Sequence, residues 1–336
     1  MGSTMNYIGS KNKLSAWILD VVSQQVSTPL KDAVFCDLFA GTGRVGRTFK
    51  PLVKQVIAND VEFYSYILLQ NYIGNHVSLP RKRDYIEKLE NLAPKEGFIA
   101  QEYGENGTAH RLFFSQHNAQ KIDAVRQQIE VWKTEGEIDP PMYYFLLASL
   151  LESADKVANT ASVYGAYLKK IKKSAAKPIK ILGAEFDLTA SSHEVFQKDG
   201  NALVKEISGD ILYLDPPYNA RQYGANYHLL TTIAKYDRFV PRGKTGLRDY
   251  YKSAYCRKGE VAQQFEELIK SAQFSTIFLS YNNEGLMPPE LIKTIMQKYG
   301  NYSLEVKDYQ RFKADKTESR NHKASATQEY LHILKK

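Results

Sequence analysis

The apolar run Ile211–Leu214 ends in Asp215-Pro216-Pro217-Tyr218, an acid, two prolines and a phenol at one strand tip. Neither proline carries an N–H for a sheet ladder, and each fixes its own φ, so the chain must leave the strand along a rigid path. Such a quartet suits an acceptor that is an exocyclic amine on a nucleobase. The lone pair of that amine is delocalised into the ring, which makes it a poor nucleophile. The Asp215 carboxylate and the Pro216 carbonyl can accept its two N–H hydrogens and free the lone pair for in-line attack on a methyl group. Pro216 and Pro217 fix the direction of that carbonyl, so little ordering is left to the reaction step. Tyr218 can stack on a base taken out of a duplex, an interaction of about 1–3 kcal/mol.

A second chemical signal lies far upstream. Gly41-x-Gly43-x-x-Gly46 follows the apolar run 33–39 and opens a helix, so backbone can approach a ligand closely there. Asp37 stands at the start of this turn, where it can line the site or brace the loop. Asp60 ends the next strand, where a carboxylate can accept from ribose hydroxyls. The glycine turn alone suits a nicotinamide dinucleotide as well as a nucleoside cofactor such as S-adenosylmethionine. A dehydrogenase has no use for Asp-Pro-Pro-Tyr, whereas a methyltransferase must hold its acceptor beside the methyl donor.

Both signals require strand tips at one edge of a sheet. An amphipathic segment at 14–26 precedes strands at 33–39 and 55–60, each followed by a helix, and this alternation predicts parallel strands. Strands are also predicted at 210–215 and 275–283, with helices at 226–237 and from about Pro288, and an antiparallel pair, 302–312 and 329–336, at one edge. The stretch between is different: helical spacing at 119–132 and 142–157, and basic clusters at 81–83 and 169–180. The expected plan is a Rossmann-like α/β sheet domain formed by residues 5–74 and 196–336, with a mainly helical lobe, 75–195, inserted in it. Met1-Gly2-Ser3-Thr4 reads as an appended leader, with Met5 as the expected native start.

The 336 residues, 43% hydrophobic and 24% charged, suffice for a sizeable core. A net charge of +8 favours a polyanionic partner. Cys36 and Cys256 stand in no metal-ligand spacing, so neither a disulfide framework nor a metal is expected and a reducing cytoplasm is the natural compartment. No apolar run approaches the length of a membrane span.

The motifs together resemble the D12 class of DNA N6-adenine methyltransferases in the α arrangement, over nearly the whole chain. The matching stretches are 7–14 (YIGSKNKL), 37–46 (DLFAGTGRVG), 57–60 (IAND), 215–230 (DPPYNARQYGANYHLL), 278–285 (FLSYNNEG) and 329–334 (EYLHIL). Gly9-Ser10 departs from the adjacent glycines that many members carry. The resemblance implies S-adenosylmethionine as cofactor, with Tyr7 packing on it and Lys11 pairing an anionic group beside it. Asp37, Phe39, Gly41 and Gly43 would line the cofactor and Asp60 would hold the ribose. Asp215, next to the cofactor, would hold the adenine together with Pro216, Pro217 and Tyr218. Asp199 resembles a further family acid, and a turn cap is the competing reading.

The resemblance also implies double-stranded DNA as partner, a cognate restriction endonuclease beside the enzyme, and a bacterial or phage-encoded cytoplasmic protein. Residues 75–195 would form the target-recognition region, with Lys169, Lys170, Lys172, Lys173 and Lys177 tracking phosphates. Arg221 and Gln222 would face the nucleotide or brace the loop, and His228 reads more simply as a packed histidine. The alternatives are methylation of cytosine N4, of RNA or of a protein glutamine, and a DNA-binding protein with a degenerate site.

Overall fold

The computed structural model describes residues 11, 14–309 and 327–336. A seven-stranded sheet is built from β1 (Val34–Asp37), β2 (Gln55–Asn59), β3 (Glu194–Phe196), β4 (Ser208–Leu214), β5 (Gln273–Asn282), β6 (Asn301–Tyr309) and β7 (Thr327–Lys335). The strand order is β3-β2-β1-β4-β5-β7-β6. The first five strands are parallel, and β7 runs antiparallel between β5 and β6. The sheet therefore takes strands from both ends of the chain.

β1 and β4 are nearly continuous apolar runs because both faces of the sheet are covered. Alternate residues point to opposite sides. Phe35, Ile211 and Tyr213 pack with α1 (Ser15–Gln25) and α2 (Arg44–Phe49), where the Phe35 and Phe49 rings stack at 4.0 Å. Cys36, Leu212 and Leu214 face the opposite core, which also contains side chains of α8 (Gly200–Leu203), α11 (Val261–Ser271) and α12 (Pro289–Met296). β3 and α11 add to the elements expected from sequence. β3 is only three residues long and draws its position from pairing with β2.

A third core fills the lobe. It joins α3 (Phe63–Leu69), α4 (Lys82–Glu90), α5 (Phe98–Tyr103), α6 (Gln116–Thr134) and α7 (Pro140–Lys156) to α10 (His228–Lys235), which follows the short α9 (Tyr223–Asn226). Asp139 caps α7, accepting from Met142 N, and Pro140 fills its first position. From 157 to 193 the chain contains no helix, so this part of the stretch is irregular where a mainly helical lobe was expected. It is held by side-chain hydrogen bonds, among them those of Asn118 to the carbonyls of Ala175 and Lys177.

Lys50 fastens the lobe to the sheet. α3 ends in a turn of π-helix, Gln70–Gly74, whose terminal carbonyls need donors. The buried Lys50 ammonium donates to Tyr72 O (2.9 Å), Asn75 O (2.6 Å) and, across the lobe, Asp187 O (2.9 Å). Replacing it with methionine strands three carbonyls. Lys50→Met is expected to lower the free energy of urea unfolding by about 3 kcal/mol, with an unchanged far-ultraviolet circular dichroism spectrum.

Candidate active site

The strand order reverses between β1 and β4, so the connections after these two strands diverge and leave a crevice at their carboxyl ends. Both chemical motifs lie there. After β1 the chain turns through Gly41 (φ +54°) and Gly43 (φ +75°), in the left-handed region that favours glycine. A Cβ on Gly43 would also lie 2.8 Å from the Leu69 side chain. Asp37 Oδ2 accepts from Gly46 N at 3.0 Å, while its buried Oδ1 has no partner. Burial raises the Asp37 carboxyl to about 7, against the Gly46 hydrogen bond.

Asp60 braces this turn: Oδ2 accepts from Gly41 N and Oδ1 from Glu62 N, both at 2.9 Å. Its carboxyl is pushed up to about 6, by burial above all. Asn59, inside the 57–60 motif but given no role there, ties the turn to the next loop. Its amide donates to Leu38 O and Lys198 O and accepts from Lys198 N.

The β4 tip holds an ion cluster. The Lys11 ammonium lies 3.0 Å from Asp215 Oδ1 and 3.3 Å from Glu329 Oε1, and Lys11 is 7% exposed. Ser280 Oγ donates to the same Glu329 oxygen at 2.5 Å. Burial opposes the charge on Lys11, yet the two carboxylates hold its pKa well above the ordinary lysine range. Burial lifts Asp215 to about 6, Lys11 opposing and Glu329 adding to the rise. The expected partner of Lys11 was an anion of the cofactor. In the structure its described partners are Asp215 and Glu329, because β7 brings Glu329 to the tip beside β5.

Lys11, Asp37, Asn59, Asp60 and Asp215 line one cleft of about 950 Å3, open solvent at its mouth included. Phe39 forms part of its wall, packed edge-on against Tyr255 at 5.2 Å, and a Cβ at Gly200 would clash with the Phe39 ring. Glu62 also lines the cleft and is raised to about 8, by burial first and by Asp60 second. Asp199 is in the lining and acts as the cap of α8: Oδ1 accepts from Ala202 N, and Oδ2 accepts from Tyr251 OH at 2.6 Å. Tyr251 and Tyr255 are lining residues that no motif pointed to, and Tyr223, inside the 215–230 motif, joins them without having been singled out.

The other expected residues divide between the cleft and its surroundings. Tyr7 lies outside the described residues. Pro217 lines the cleft; Pro216 is buried behind it, and Tyr218 is half-buried against Tyr281, with ring centroids 6.3 Å apart. Gln222 braces the loop, donating to Ser253 O and accepting from Ser253 N. Arg221 is exposed, as are Lys169, Lys170, Lys173 and Lys177. Lys172 does not share their freedom to track phosphates: its ammonium donates to Thr160 O at 2.7 Å and its backbone N to Asn159 Oδ1, which folds the segment on itself. His228 is fully buried, its Nε2 3.1 Å from Tyr164 O, so it is a packed histidine.

The profile of D12 class N6 adenine-specific DNA methyltransferases matches residues 7–295. The chain belongs to this family. Its relatives include the Type II methyltransferase M.NlaIII of Neisseria lactamica, 60% identical over 332 residues, 99% of both chains. M.CviAII of Paramecium bursaria Chlorella virus 1 is 38% identical, over 92% of this chain and 93% of the viral one. M.FokI of Planomicrobium okeanokoites is 37% identical over 99% of this chain, which spans 53% of that protein. Family membership supports adenine-N6 methylation of DNA over the cytosine-N4 and RNA alternatives. The strand-tip cleft is thus a cleft of a DNA methyltransferase, with Glu62 as an unheralded lining residue and Glu329 supporting Lys11 from behind the lining.

Removing Lys11 would leave Asp215 and Glu329 facing one another without a cation. Lys11→Met is expected to lose about 3–5 kcal/mol of stability at pH 8. The loss should shrink at pH 5, where Asp215 takes up a proton. Urea titrations at the two pH values measure it.

Proposed function

We propose that this methyltransferase draws its methyl group from S-adenosyl-L-methionine and acts, at a specific sequence, on an adenine extruded from duplex DNA. The observation that carries the reading is the meeting, in one cleft, of the glycine turn after β1 with the Asp215 tip of β4. The residues present fit the cofactor. Asp37 offers a buried, unpartnered oxygen to an amino donor, Gly41 presents no side chain to the cleft, Gly43 shapes the turn behind it, and Phe39 offers an aromatic wall. Asp60 and Glu62 supply carboxyl groups where a ribose would lie. Bound there, S-adenosylmethionine supplies a methyl group activated by its sulfonium.

The rest falls to the chain's own groups. Lys11 engages Asp215 Oδ1, which leaves Oδ2 for a hydrogen of the adenine amine. The Pro216 carbonyl would take the second hydrogen. Tyr218, held against Tyr281 and by Leu286 N donating to its carbonyl at 2.9 Å, would stack on the extruded base. Residues 75–195 would serve target recognition, with the exposed Lys169, Lys170, Lys173 and Lys177 on phosphates and Arg221 beside the nucleotide. A type II modification role beside a restriction endonuclease, in a bacterial or phage-infected cytoplasm, is in keeping with the names of the relatives. Among the described residues no helix is long and apolar enough to cross a membrane.

The test is incubation of unmethylated plasmid with labelled S-adenosylmethionine, followed by digestion to nucleosides. N6-methyladenine is the expected product, and Asp215→Ala should slow its formation by roughly a hundredfold or more. Label in N4-methylcytosine, or none in DNA, would refute the reading.

A further inference from the structure

Beyond the lysine run of the lobe, a second basic surface meets the mouth of the cleft. Residues 237–260 carry three acids, and each is spent on a neighbour: Asp237 on Arg248, Asp249 on Arg242 and Glu260 on Arg257. The exposed Lys252 and Lys258 form no ion pair with any described residue. Lys252 lies between Tyr251 and Ser253, both of which line the cleft. The segment is locked to the catalytic loop at two points, Gln222 with the Ser253 backbone and Cys256 Sγ donating to Arg221 O at 3.4 Å. The exposed Arg221 thus sits beside it.

The segment is braced from the lobe as well. Tyr103 OH donates to Gly246 O at 2.6 Å, and Arg111 donates to Gly243 O at 3.3 Å. Arg242 and Leu247 exchange backbone hydrogen bonds at 2.9 and 2.7 Å, closing a small hairpin. α9, which follows the catalytic loop, touches both this segment and the lobe. A Cβ at Gly224 would meet Tyr250 at 2.7 Å on one side, and Asn226 O accepts from Tyr164 N at 2.8 Å on the other.

We propose that Lys252 and Lys258, with Arg221, form a phosphate-binding rim that holds the DNA backbone at the edge of the cleft lined by Tyr251 and Ser253. The rim is preorganised: its backbone is fixed by hydrogen bonds before DNA arrives, while its ammonium groups stay free for phosphate oxygens. It positions the duplex over the cleft and reads no base. The inference rests on duplex DNA as substrate.

The double variant Lys252→Gln/Lys258→Gln tests it, with Lys31→Gln/Lys54→Gln, exposed near the starts of β1 and β2, as a charge-matched control. Binding of a fluorescent duplex is measured over a range of salt concentrations. Each lost phosphate contact lowers the slope of log affinity against log salt by about 0.9, so the rim variant should lose nearly two units and the control none. Over a roughly fourfold rise in salt, the rim variant then loses about tenfold less affinity than the wild type does. Thermal unfolding and the KM for S-adenosylmethionine should stay at wild-type values, and Lys252→Arg/Lys258→Arg should restore the slope. An unchanged slope, an equal fall in the control, or a rise in the cofactor KM would each overturn the rim while wild-type methylation of DNA stands. Failure of the wild type to methylate DNA would instead remove the reading on which the rim rests.

Discussion

One buried cation holds the catalytic end of this sheet together. Lys11 comes from the segment before α1, Asp215 from the tip of the central strand β4 and Glu329 from β7 near the end of the chain. In a low-dielectric site two carboxylates cannot both stay ionised without a counter-charge. The ammonium therefore fixes which oxygen of Asp215 is occupied and which remains for an amine. It also makes the position of β7 part of the chemistry, since Glu329 reaches the cluster only because β7 pairs with β5 there.

The cleft concentrates acids that burial pushes upward: Asp37 to about 7, Asp60 and Asp215 to about 6, and Glu62 to about 8. A raised folded-state pKa means that the folded chain binds more protons than the unfolded one between the ordinary carboxylate range and the shifted value. The stability contribution of these groups is therefore largest below about pH 4 and falls as the pH rises toward 8. At the pH of a cell, Asp60 and Asp215 are ionised against this cost, which the rest of the fold carries, while Glu62 stays largely protonated. Asp37 shows it most clearly: one oxygen braces the glycine turn and the other is buried without a partner.

Much of this was legible in the sequence, for local reasons. β1, β2 and β4 are apolar runs that end at or next to an acid, and those acids, Asp37, Asp60 and Asp215, also line the cleft. α11 carries the helical spacing Val261, Phe265, Leu268, Ile269, a signal present in the sequence although it belongs to no motif. Glu329 was not legible as a site residue, because its place depends on a pairing between strands distant in the chain. Lys172 reads like its neighbours until Thr160 and Asn159 are seen to bind it. A three-residue strand such as β3 has too few side chains to show any alternation.

The most direct test of the central claim is the pH dependence of the single-turnover methylation rate, wild type beside Lys11→Met. If the Lys11 ammonium keeps Asp215 ionised for the amine, the wild-type rate should fall on the acid side with a midpoint near 6. In the variant, that midpoint should move upward. An acid limb at the same pH in both proteins would contradict the account.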